Sequence, residues 1–135
     1  MSANTQAIFP LTPVVTWGTI TAANTAKDGT GAQVTVFTAG TNGARIDRIK
    51  VRNTGTAVQT VLRIFINNGL TNATAANNIL YMERTIPTAT VSETTELSDI
   101  IILLDMALPT TYKINVAIGT TVASALHVTC EGGNF

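Results

Sequence analysis

Charge is scarce in this chain. Only 12% of its 135 residues are charged, eight basic against eight acidic, and the net charge at pH 7 is zero. No global field of either sign exists to hold nucleic acid or an anionic membrane surface, so neither is an expected partner. Cysteine is almost absent: Cys130 stands alone, which excludes an intrachain disulfide, a CxxC redox pair and a cysteine-rich metal site. Histidine is equally rare, and the single His127 sits in an alternating strand pattern where an exposed, idle imidazole is expected. Aromatic residues make up 5% of the chain, too few for a stacking ladder under sugars or single-stranded nucleic acid. Trp17, the only tryptophan, is expected to anchor the core near the first strand. No segment approaches the roughly 18 uninterrupted apolar residues of a membrane span. The opening string MSANTQAIFPLTPVV has neither the basic nor the apolar region of a secretory signal, so a chain that is neither exported by that route nor membrane-spanning is expected.

Signatures of catalysis are missing too. No Gly-x-Ser-x-Gly elbow occurs, and Ser2, Ser92, Ser98 and Ser124 have no neighbouring histidine. Gly29-Thr30-Gly31 and Gly40-Thr41-Asn42-Gly43 lack the Gly-Lys-Ser/Thr ending of a phosphate loop and precede strand patterns, so they read as turns. Asp28 and Asp47 are too isolated for a calcium loop. The expectation is a protein that is not an enzyme, with no catalytic, cofactor-binding or metal-ligating residue.

What the chain does contain is β-branched and turn chemistry. Apolar residues reach 45%, with threonine abundant, a composition that fits pleated sheets better than helices. The length suits one domain with one core. Residues 1–13, with Pro10 and Pro13, read as an extended arm, and residues 14–135 as a single β-sandwich domain. Eight strands are expected: Val14–Ile20, Gln33–Thr38, Arg45–Arg52, Val58–Ile66, Ile79–Ile86, Glu96–Leu104, Thr111–Ile118 and Ser124–Glu131. Between them lie Asn- and Gly-rich breaks that tolerate left-handed turn backbone. Eight antiparallel strands with a few long connections suit a jelly-roll-like sandwich of two sheets.

Three groups of residues point to contacts between subunits. Ile8, Phe9 and Leu11 make the arm sticky, so it either packs on its own domain or crosses to a neighbour. Val58–Ile66 places Leu62, Ile64 and Ile66 on one face and Val61 and Phe65 on the other, while Ile100–Leu104 is apolar on both faces. Apolar residues on a second face call for a covering loop or a subunit interface, and the interface is the preferred reading. Charges segregate as well: Arg45, Arg48, Lys50, Arg52 and Arg63 lie in the third and fourth strands, and Glu93, Glu96, Asp99 and Asp105 surround the sixth. Such sets form either solvated patches within a subunit or complementary patches between subunits.

The strings Phe9-Pro10-Leu11, Trp17, Asp28-Gly29-Thr30-Gly31, Thr38-Ala39-Gly40-Thr41-Asn42-Gly43, Arg63-Ile64-Phe65-Ile66-Asn67-Asn68-Gly69, Ala107-Leu108-Pro109 and Gly132-Gly133-Asn134-Phe135 resemble small proteins encoded among the structural genes of tailed bacteriophages. The resemblance spans nearly the whole chain and implies a virion component, made in the host cytoplasm. A sandwich of this size is similar to the decoration or cement proteins of phage heads. That likeness implies a homotrimer bound to the major capsid protein or another virion protein, without cofactor. A tail, baseplate or fibre-associated module, including a receptor-binding one, is the alternative expectation, although Thr21–Ala32 and Asn67–Asn78 hold no aromatic residue for host contact.

Overall fold

A computed structural model of the chain describes residues 9–135. Its eight strands are β1 (Thr12–Ile20), β2 (Val34–Thr38), β3 (Ala44–Asn53), β4 (Thr60–Asn67), β5 (Asn78–Ile86), β6 (Ile100–Leu108), β7 (Lys113–Ile118) and β8 (Leu126–Asn134). The only helical element among the described residues is the 3-10 turn Ala75–Asn77. Each expected strand has a counterpart. The largest displacement is in β6, which starts at Ile100 and runs on to Leu108, because the polar stretch before Ile100 stays out of the ladder.

Two antiparallel four-stranded sheets form, in the orders β1-β8-β3-β6 and β2-β7-β4-β5. First pairs with last, second with seventh, third with sixth and fourth with fifth, as in a long ribbon rolled onto itself. Pairing of β3 with β8 and of β4 with β7 then closes each sheet. The chain is an all-β antiparallel sandwich, and the inward residues of both sheets fill one core. Ile46, Ile49 and Val51 of β3, Leu126, Val128 and Cys130 of β8, Leu62 and Ile64 of β4, and Ile114, Val116 and Ile118 of β7 are all buried there. A bulge between Ile46 and Arg48 keeps Ile46 and Ile49 both inward and turns Asp47 and Arg48 out together. Glycine is required where the backbones come closest: a Cβ on Gly132 would lie 2.1 Å from the Arg45 carbonyl oxygen.

Trp17 does not anchor the core; it is 69% exposed. Parity decides this, since Ile20 is buried and β1 alternates, which turns Val15, Trp17 and Thr19 outward. Gly18 takes an inward position where any side chain would meet Val34, at 2.5 Å from its Cγ1.

The middle of the outer face of the second sheet is covered by the chain itself, while Ile79 and Tyr81 on its edge strand β5 stay exposed. Phe65, Asn115 and Ala117 point away from the main core, yet all three are buried. Asn24 N–H donates to the Ile118 carbonyl at one end of the sheet, while the Asn78 side-chain amide donates to the Asp28 carbonyl at the other. Ile118 and Asn78 lie beside opposite ends of β4, opposite Leu62 and Asn67, so the stretch between Asn24 and Asp28 crosses this face obliquely. The Asn72 amide fastens the loop further by donating to the carbonyls of Gly29 (3.1 Å) and Gly31 (2.8 Å). Asparagine side chains thus satisfy loop carbonyls that strand pairing leaves free.

Candidate functional site

No described segment crosses the outer face of the first sheet. The register aligns its outward side chains in rows: Val15, Glu131, Arg48 and Leu103 in one, Trp17, Thr129, Lys50 and Ile101 in the next, and Thr19, His127 and Arg52 in a third. The two edge strands contribute apolar strips, with Val15 58%, Trp17 69%, Ile101 40% and Leu103 67% exposed. Between them, β8 and β3 supply a charged band.

Ion pairs organise that band. Arg48 Nε donates to Glu131 Oε2 at 2.5 Å, Arg52 to Asp99 at 2.5 Å and Arg45 to Asp105 at 2.9 Å. Hydrogen bonding from Arg48 holds the Glu131 carboxyl below its ordinary range, and the same bond raises Arg48 above its own. Lys50 forms no ion pair among the described residues. Water screens pairs this exposed, so they fix side-chain positions more than they stabilise the fold. Arg45, Arg48, Lys50 and Arg52 are balanced on this face and its rim by Asp47, Asp99, Asp105 and Glu131, which is half of the chain's eight basic and eight acidic residues.

The expected contact residues divide between the two sheets. Arg48 lies at the centre of the bare face, with Arg52 and Asp99 toward its rim. Phe9 and Leu11 are 73% and 83% exposed, and the Leu11 N–H donates to the Asn134 carbonyl, so the described end of the arm runs on beside β8. Ile8 lies outside the described residues. Glu96 is exposed in the connection before β6 and joins no ion pair among the described residues. Val61, Arg63 and Phe65 belong to the second sheet. Phe65 is fully buried by the chain's own fold, so it is unavailable to a subunit, and Arg63, with its side chain 11% exposed, is held by Glu83. At Phe65 the chain's own fold, and not a subunit, covers the second apolar face, whereas Val61 is only half-buried. The opposed charge sets resolve in part within the chain, as Arg45–Asp105 and Arg52–Asp99.

The sequence singles out Lys50 and the two-faced run Ile100–Leu104, which holds Ile101 and Leu103, but not Val15, Glu131 or an outward Trp17. Alternation in Thr12–Ile20 carried the signal for Val15 and Trp17, but one tryptophan beside glycine reads as core until the strand's parity is fixed.

Elsewhere the surface offers little chemistry. Four recesses of about 160 to 310 Å³ are lined by aliphatic, aromatic, hydroxyl and amide side chains, with no histidine, carboxylate, lysine or arginine. No group of three or more His, Cys, Asp and Glu comes together among the described residues. Burial pushes the Cys130 thiol up to about 12, the opposite of a reactive thiolate. No described helix is long and apolar enough to cross a membrane. No protein-family model matches the chain, and neither a curated protein nor a solved structure matches it.

Proposed function

We propose that this chain is a structural component of a tailed-bacteriophage particle, a decoration or cement protein that binds the head shell through protein–protein contacts. The observation that carries the reading is the asymmetry of the sandwich: the chain's own loop covers the middle of one outer face, while the other displays two apolar strips around a charge-balanced band. An apolar face left open on a small domain marks a protein contact. Strand pairing of first with last and second with seventh is read as a jelly roll, an architecture used by viral capsid domains. The phage-like strings in the sequence supply the particle. Acting this way needs no catalytic group, because a protein that binds only the expanded shell stabilises it by mass action, by about 2.7 kcal/mol per site at a concentration of about 100 Kd.

The test is to assemble particles with and without the chain and compare their resistance to heat and low salt. Decorated particles that survive conditions at which bare ones open support the proposal. Equal resistance, with no chain bound to the shell, overturns it.

A further inference from the structure

We infer that the bare face of the first sheet pairs with the same face of a second copy of this chain, about a two-fold axis that runs parallel to the strands between β8 and β3. The inference rests on that face being a protein contact, as proposed above, and not on the phage assignment.

Area permits it. Four strands about 4.8 Å apart and nine residues long at about 3.3 Å each span roughly 550–600 Å², so two copies would bury about 1,100 Å². That exceeds the roughly 1,000 Å² expected of a specific interface.

Charge chooses the axis. A two-fold contact brings one patch onto itself, so residue i meets j and j meets i. An axis across the strands would set β3 on β3 and bring the cations Arg48, Lys50 and Arg52 against their own copies. An axis along the strands instead sets β8 on β3 and β1 on β6. In the Val15 row Glu131 then faces Arg48 of the second copy, and the two existing Arg48–Glu131 pairs join into one four-membered network. Within the same row Val15 covers Leu103. In the Trp17 row Thr129 meets Lys50, which joins no ion pair among the described residues, and the indole covers Ile101. In the third row His127 faces Arg52, which Asp99 already holds. The two apolar strips of this face thereby cover each other, and no row opposes two carboxylates.

A homotrimer would need two different patches meeting head to tail, whereas this face is self-complementary. The unit is therefore a pair, and in it the open face serves the contact between copies.

Native mass at micromolar concentration, together with charge exchange, tests the pairing. The wild-type chain should sediment at twice 14.2 kDa. Arg48→Glu and Glu131→Arg should each weaken self-association by about tenfold or more, since each places four like charges together. Mixing the two variants should restore the dimer, with one copy of each, because the two carboxylates of the Arg48→Glu copy then face the two guanidinium groups of the Glu131→Arg copy. Leu103→Lys, on a side chain already in solvent, should also give a folded monomer. A wild-type monomer or trimer overturns the inference, as does a dimer indifferent to Leu103→Lys or a mixture that stays monomeric. A monomer that still coats particles overturns the pairing alone, whereas a dimer that binds no particle overturns only the decoration role.

Discussion

Truncating Phe65 separates burial by the chain's own fold from burial by a partner. The ring is fully buried on the side of β4 away from the main core, with Asn115 and Leu80 as its cross-strand neighbours. Phe65→Ala removes the ring from a site that β-sheet backbone holds open, so the cost should be about 3–5 kcal/mol. At about 2.1 cal/mol/K of unfolding entropy per residue, each kcal/mol lowers Tm by about 3.5 °C in a chain of this length, a fall of about 10–18 °C in all. Circular dichroism during thermal and urea unfolding, at two protein concentrations tenfold apart, reads both quantities. The cost should be the same at both concentrations. A loss below about 1 kcal/mol, or one that changes with concentration, would show that the ring is not sealed within a single chain.

Asn72→Ala deletes both bonds to the Gly29 and Gly31 carbonyls, and should cost about 1–2 kcal/mol in urea unfolding while speeding amide exchange across Lys27–Ala32. Because hydrogen bonding from Arg48 lowers the Glu131 pKa, the native state favours the carboxylate over the protonated form. The resulting stability is present above the ordinary glutamate range and drains as pH falls through and below it, so Glu131→Gln should flatten the stability-against-pH curve below about pH 5. With its thiol buried and pushed up to about 12, Cys130 should resist a thiol reagent at pH 8 in the native protein and react fully in denaturant. Native labelling at the rate of a free thiol would contradict the packing of β8 in the core.

Much of the fold was legible because period-two alternation is a local property. Leu126, Val128 and Cys130 against His127, Thr129 and Glu131 announce both the strand and its buried face, and Ile49 and Val51 do the same for β3. The Asn- and Gly-rich breaks mark where strands end, since their residues tolerate backbone that a ladder does not. β6 was misplaced by a few residues because Glu96–Asp99 alternates no better or worse than Asp105–Leu108; pairing with β3 decides which end joins the ladder.

By itself, then, the sequence determined that this chain is all-β, that it has about eight strands, which face of most strands is buried, and that no familiar constellation of catalytic groups is present. Only the tertiary structure decided what covers the second faces. Alternation shows that Phe65 and Leu103 both lie opposite core residues, but not that Asn72 and Asn78 draw a loop across the first while no described segment crosses the second. It also decided that Trp17 faces solvent beside Val15, and that Arg48 meets Glu131, a residue 83 positions away in sequence. Those outcomes depend on sheet order and register, which are set by contacts between distant segments and leave no mark in any single stretch of residues.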